Sequence, residues 1–376
     1  MIINKNCLKK ITGILLFFAF FITYNPSFSQ VSHADSSAKA EHTAAGEQGY
    51  AKEKFNAGEM ILEHIGDAHE WHILTFQDHH VTVPLPVILY NKGKFDVFMS
   101  GEFHHGEHEV TTKNGNVYRL NHKGKIESVD GSTFFDFSIT KNVLTLLVSA
   151  IILLFIFISI ANSYAKNKNK APKGMQSLFE PFIIFIRDEV ARPAIGPKYY
   201  RYMPFLLTIF FFIWINNMLG LIPIIPFGAN ITGNIAVTMT LALFTFIITM
   251  AVSNKNYWVH IINTPGVPWW LKFPLPLMPF VEILGVFTKP FVLTLRLFAN
   301  MVAGHIIPLA FISLIFIFAE MSPTAGYGVS IVAVLISVFM RVLELLICFL
   351  QAYVFTLLSA MYFGMATEEH HGTDHH

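Results

Sequence analysis

The chain has 376 residues, of which 53% are hydrophobic, only 14% are charged and 37 are phenylalanine. Apolar residues in that proportion, gathered into long blocks, exclude an ordinary soluble domain and point to a multi-pass membrane protein. A formal net charge of +1 offers no global attraction to nucleic acid or acidic substrates, and two cysteines, Cys7 and Cys348, argue against a disulfide framework or a thiolate zinc site.

Residues 1–30 carry Lys5, Lys9 and Lys10, then the apolar run Ile11 to Thr23, then Asn25, Pro26 and the small residues Ser27 and Ser29. This is the layout of a signal peptide cleaved near Ser29 or Gln30. The alternative is an uncleaved first membrane helix, for which the run is short and is followed at once by a polar, Pro-containing break. From 31 to 136 the composition is that of a soluble segment, dominated by Ala, Glu, Lys and His as far as Gly58. Met60 to Ile65 is amphipathic, and short alternating runs follow at Val81 to Leu85 and Val117 to Leu120. Turn signals at Asn91-Lys92-Gly93, Asn114-Gly115 and Lys123-Gly124 predict a small domain with β content after a disordered lead.

The membrane blocks come next. Val143 to Ala161, Met203 to Leu221 and Ile235 to Val252 are each long enough to span, and the second is closed by Pro223 and Pro226. Val281 to Phe318 is too long for one upright helix and holds Glu282, Lys289 and Arg296; Val329 to Phe363 is equally long and holds Arg341, Glu344 and Gln351. Such helices are expected to tilt or to bury one face against protein. The reading is therefore an all-α membrane protein of about five transmembrane helices, the last two long, tilted and antiparallel, with a small N-terminal extracytoplasmic domain of β content. Its divisions are a signal peptide at 1–30, the extracytoplasmic domain at 31–136, the transmembrane domain at 137–369 and a His-rich cytoplasmic tail at 370–376.

Orientation follows from the loops. Lys166, Lys168, Lys170, Lys173, Arg187, Arg192, Lys198 and Arg201 lie between the first two spans, whereas Ile222 to Asn234 has no charge. The positive-inside rule makes the first loop cytoplasmic. The N-terminal domain is then outside, in agreement with a signal peptide, and the C-terminus is cytoplasmic. Leu178 to Val190 reads as an amphipathic helix on the membrane surface.

Ionisable residues at membrane depth are functional candidates because their burial is costly. On the fourth span Glu282, Lys289, Arg296 and Asn300 fall in a stripe roughly 40° wide, with His305 on the opposite side and roughly 13 Å further along the axis. On the last span Ser337, Glu344 and Gln351 share a stripe. In an antiparallel pair His305 comes level with Glu344, and Arg296 with Gln351. Histidine titrates near neutrality and a buried carboxylate can be tuned toward it, so both can load and release protons. Arginine keeps its proton, so it cannot relay one, but it attracts a partner's carboxylate and forces that group to release one.

The string Thr294-Leu295-Arg296-Leu297-Phe298-Ala299-Asn300-Met301-Val302-Ala303-Gly304-His305 resembles the LRLFxNxxAG signature of the F-type ATP synthase a subunit. Glu344 to Gln351, ahead of Ala352-Tyr353-Val354-Phe355, is similar to that family's last helix, and Thr232 to Thr238 to its third span. The resemblance runs from about Gly58 to Glu369. It implies a proton-translocating stator subunit, not an enzyme on its own, in a bacterial cytoplasmic membrane, with a rotating c-ring and peripheral stalk b subunits as partners and no cofactor. It implies that Arg296 faces the ring and separates two half-channels, that His305 and Glu344 line the outer one, and that Asn300, Gln351 and Glu282 match further family positions. In some relatives the acid and the histidine are exchanged between the helices. The N-terminal segment exceeds the family minimum.

Other readings stand beside this one. Arg341, three residues from Glu344, could be its structural counter-ion, Lys289 could simply lie at the interface, and Glu282 could be solvated. Eleven of the 17 histidines fall within 31–136, and His-rich tracts can bind zinc or copper. Their spacing is not His-Glu-x-x-His, so no metal site is assigned. A secondary transporter is the alternative function, but it would favour an inverted repeat with paired broken helices, which the sequence does not show. The phosphate-binding Gly-x-x-x-x-Gly-Lys loop is also missing.

Overall fold

The computed structural model describes residues 56–368 apart from 77–78, 107, 122–123, 167–170, 223–227 and 263–276. The expected signal peptide at 1–30 and the tail at 370–376 lie outside the described residues. The amphipathic stretch forms α1 (Ala57–Ile65), which packs against a helix far along the chain, α8 (Leu277–Met321). Two residues beyond α1, Asp67 reaches the start of the first long apolar helix, α2 (Lys141–Lys166). Its Oδ1 accepts the Asn142 N–H at 3.1 Å and its Oδ2 the Thr140 hydroxyl at 2.8 Å. A carboxylate over unpaired N–H groups at a helix N-terminus is favourable by both hydrogen bonding and dipole.

The strands are antiparallel. β1 (Glu70–Phe76) pairs with β2 (His79–Pro84). β3 (Pro86–Asn91), β4 (Lys94–Met99) and β8 (Phe134–Asp136) form a sheet in the order β4-β3-β8. β5 (Val110–Thr111), β6 (Val117–Leu120) and β7 (Ile126–Ser128) form another in sequential order. The predicted turn at Asn91-Lys92-Gly93 closes β3 onto β4, with φ of 48° at Lys92 and 82° at Gly93, the sense that suits a two-residue hairpin. β3 escapes a search for alternation because Val87-Ile88-Leu89-Tyr90 is a continuous apolar run. Its residues nevertheless alternate between a buried and a more open face.

A core of Val87, Leu89, Phe98, Phe103, Val110, Tyr118 and Ile126 joins the two three-stranded sheets. Inside it lies the buried Asp96, which accepts from Asn114 at 2.7 Å, Asn116 at 2.8 Å and the Tyr118 hydroxyl at 2.9 Å. Burial pushes this carboxyl up, but the three donors outweigh it and hold the group below the usual carboxylate range.

Among the described residues five helices are long and apolar enough to cross a membrane: α2, α5 (Met203–Gly220), α6 (Ile235–Val252), α8 and α9 (Pro323–Thr367). α5 is apolar on all sides and almost wholly buried, so it forms the centre, packed on α2 and α9. α6 matches the predicted third span, with the Asn234 side chain accepting the Ala236 N–H at 3.0 Å as its cap. α8 and α9 have 45 residues each and exceed the lengths expected from hydropathy. Only Ser322 separates them, which forces an antiparallel hairpin.

The amphipathic segment of the first loop becomes α3 (Met175–Phe185), continued by a π turn at Ile186–Ala191 and by α4 (Arg192–Ile195). Its apolar stripe of Phe179, Ile183, Ile186 and Val190 is buried in the same core as α5 and α9. The surface-lying helix expected from the sequence is thus packed on protein along its apolar face. A short helix without a sequence signal, α7 (Lys255–Ile262), follows α6.

Candidate functional site

Three contacts set the register of the α8–α9 hairpin. Gly326 abuts Ala319, the Ser337 hydroxyl donates to the Pro308 carbonyl at 3.4 Å, and Glu344 abuts Gly304. This brings His305 and Glu344 together: Nδ1 lies 2.8 Å from Oε1, and both side chains are buried. The other carboxylate oxygen, Oε2, accepts from Arg341 Nη1 at 2.9 Å, so the counter-ion three residues away is present.

His305 is held from several directions. Nδ1 is 3.0 Å from the Met301 carbonyl, and a proton on it points there, so Glu344 Oε1 lies close to the ring nitrogen without receiving a directed hydrogen bond from it. The same carbonyl accepts from Asn230 Nδ2 at 3.2 Å. Nε2 faces the end of α5, where a Cβ on Gly220 would come within 3.8 Å of it and 3.2 Å of the Ala229 carbonyl. Pro308 has no N–H to return to Gly304, so a helix carbonyl is freed beside the pair.

Four buried polar atoms of the pair and of α5, which ends beside it, have no hydrogen-bond partner among the described residues: His305 Nε2, Glu344 Oε1, Asn216 Oδ1 and Asn217 Nδ2. Asn217 Oδ1 accepts from the Thr232 hydroxyl at 2.6 Å, which ties α5 to the turn before α6. Buried polar atoms are normally paired, with water completing what protein does not, so such a cluster marks a hydrated or proton-exchanging region.

The remaining sequence-predicted residues lie elsewhere on the hairpin. Arg296 is exposed, with no ion-pair partner among the described residues, and Asn300 is half-buried one turn on. Gln351 is buried on the same face of α9 as Ser337 and Glu344, and the register brings it level with Arg296. Glu282 is not part of the cluster. It sits roughly 21 Å from Arg296 along α8, with Lys289, whose Nζ stands 5.6 Å from the Tyr362 ring centre, between them.

The family model described as ATP synthase A chain matches residues 143–364, which is more than half of the chain. The "ATP synthase subunit a" of Chloroherpeton thalassium is 46% identical over 250 residues, covering 64% of this chain and 71% of that protein. An "ATP synthase subunit a 2" from Chlorobaculum tepidum is 46% identical over 249 residues, covering 64% and 67%. The "ATP synthase subunit a" of Myxococcus xanthus is 42% identical over 249 residues, covering 64% and 77%. The chain belongs to the ATP synthase subunit a family. It is a multi-pass membrane protein of the proton-translocating membrane sector, one subunit of a multi-subunit complex, and not the catalytic one. A second family model, described as a domain of unknown function, matches residues 60–144.

In this chain the sequence pattern singles out the pair but not its enclosure. Gly220, Asn230 and the Asn217–Thr232 link come from α5 and the uncharged loop, and Gly304 was only a letter of the motif. The one available signal was Asn216-Asn217 near the end of an otherwise apolar span, where amides need partners.

Proposed function

We propose that this chain provides both half-channels for protons at the rim of a rotating c-ring, with Arg296 as the fixed charge between them. The observation that carries this is the buried contact of His305 with Glu344, with a polar atom of each left unpaired, on the hairpin that displays Arg296 on an open face. A proton entering from the side of the β-rich domain is taken up by His305 or Glu344 and handed to a ring carboxylate. The guanidinium of Arg296 stays charged, pairs with the deprotonated ring carboxylate as it passes, and prevents direct leakage between the two sides. Asn300 and Gln351 supply polar contacts beside Arg296, and Glu282 serves the opposite half-channel.

In this reading residues 1–30 are a removed signal peptide, 31–136 an extracytoplasmic domain, 137–369 the membrane domain, and 370–376 a cytoplasmic tail. The membrane is the bacterial cytoplasmic one, and peripheral stalk b subunits hold the chain against rotation. The test is replacement of Arg296 by Ala or Gln in the assembled complex. ATP synthesis and ATP-driven pumping should be lost with subunit content unchanged; normal pumping with Arg296→Ala would overturn the assignment.

A further inference from the structure

The β4-β3-β8 sheet has two unlike faces. One carries Val87, Leu89, Asp96 and Phe98 into the domain core. The other presents Pro86, Ile88 and Tyr90 from β3, Phe95, Val97 and Met99 from β4, and Phe135 from β8. The register aligns them in rows: Tyr90 lies between Phe95 and Phe135, Ile88 opposite Val97, and Pro86 opposite Met99. No charged residue belongs to this face, yet Phe95 is 62%, Val97 65% and Phe135 60% exposed. A contiguous apolar face of this kind on a folded domain marks a contact surface.

Its covering follows from where the sheet is anchored. After β8 the chain keeps its hydrogen bonds to β3, Phe137 N–H to the Ile88 carbonyl at 2.8 Å and Ile139 N–H to the Pro86 carbonyl at 3.0 Å. Two residues later α2 begins at Lys141, whose own N–H donates to the Ala68 carbonyl at 3.0 Å. The sheet is therefore fixed to the head of a membrane-spanning helix with no slack linker between them. Phe137, also exposed, continues the apolar face toward that helix. At the far end the β3–β4 turn carries exposed Lys92 and Lys94, cations of the kind that pair with anionic headgroups.

We infer that this sheet face is a lipid-contacting surface that seats the β-rich domain on the bilayer on the side where α2 begins. The aromatic and aliphatic side chains enter the headgroup boundary and the turn lysines lie over it, as in other interfacial elements. This holds the domain against the membrane beside α8, which α1 also touches.

The test uses the assembled complex in vesicles of phosphatidylcholine and phosphatidylglycerol, spin-labelled at Val97→Cys or, as a control in the β6–β7 turn, at exposed Lys125→Cys. The unsubstituted protein supplies the background from Cys348. Retained ATP-driven pumping shows each variant to be assembled. The expected result is that oxygen relaxes the Val97→Cys label severalfold more than a water-soluble nickel chelate does, with the opposite order at Lys125→Cys. Equal access of the nickel chelate to both labels would put the face in water. Shielding of the Val97→Cys label from both reagents would mean a protein covers it. Either result overturns the proposal.

Discussion

Gly304 lets Glu344 approach the backbone of α8: a Cβ added there would lie 3.0 Å from Oε1, 3.2 Å from the carboxyl carbon and 3.3 Å from Cγ. The carboxylate meets His305 in the turn of helix that carries this glycine, so the missing side chain and the contact with His305 belong to one arrangement.

Gly304→Ala should therefore displace Glu344 and slow proton flux. Overpacking a filled site costs about 1–3 kcal/mol, so a loss of roughly tenfold is expected with the complex still assembled. ATP-driven acidification of inverted vesicles measures it. An unchanged rate would mean that Glu344 moves aside without consequence and that its contact with His305 is not needed.

His305 and Glu344 should behave as one unit. Each single change to Ala is expected to slow flux without the complete loss expected at Arg296. The exchanged variant, His305→Glu with Glu344→His, returns one acid and one imidazole to the same pocket and should recover part of the rate. A double-mutant cycle on flux should give a coupling of about 0.5–3 kcal/mol. Independent, multiplying losses with no rescue would refute a shared role.

Arg341 donates to a carboxylate that is otherwise buried. Arg341→Ala removes the hydrogen bond to Oε2 of the buried Glu344 carboxylate, at a cost of about 1–3 kcal/mol once the 38% exposure of the guanidinium is allowed for. Flux should fall severalfold, and Arg341→Lys, which keeps the charge, should retain more of it than Ala does. Equal rates for the Lys and Ala variants would show that charge is not what Arg341 contributes.

The β-rich domain should weaken in acid. The Asp96 carboxyl is held below its ordinary value of 3.8, so the folded state binds its proton less readily than the unfolded chain. The stabilisation is complete above the ordinary value and is lost as pH falls through the depressed one. Asp96→Ala leaves the Tyr118 hydroxyl and the Asn116 amide without this acceptor, with Asn114 keeping only the Phe95 carbonyl, and should cost roughly 2–5 kcal/mol. Hydrogen exchange of the β3 to β7 amides in the full chain reads both effects. Protection relative to the intrinsic exchange rate should fall at low pH in the native chain, whereas Asp96→Ala should already be poorly protected at neutral pH and lose the acid dependence. Unaltered exchange at neutral pH in the variant would contradict the account.

Much of this architecture is legible in one dimension. Lipid offers no partner for exposed backbone groups, so spanning segments must be helices of apolar residues, and Ile235–Val252 is as plain in the letters as in the coordinates. Helical spacing likewise groups Ser337, Glu344 and Gln351, and all three are buried on one face of α9. A period tells which residues share a face and not what that face meets. Packing alone decided that Gly220, Ala229 and Asn230 close over His305, some 75 residues later in the chain, and that Asp67 caps α2. The same holds for α3: its stripe has the spacing of a surface-lying helix, but Ile183, Ile186 and Val190 are buried among residues of α5 and α9. Contacts between distant segments depend on how helices nest in three dimensions, where the absence of one methyl group at Gly304 sets how closely a carboxylate can approach.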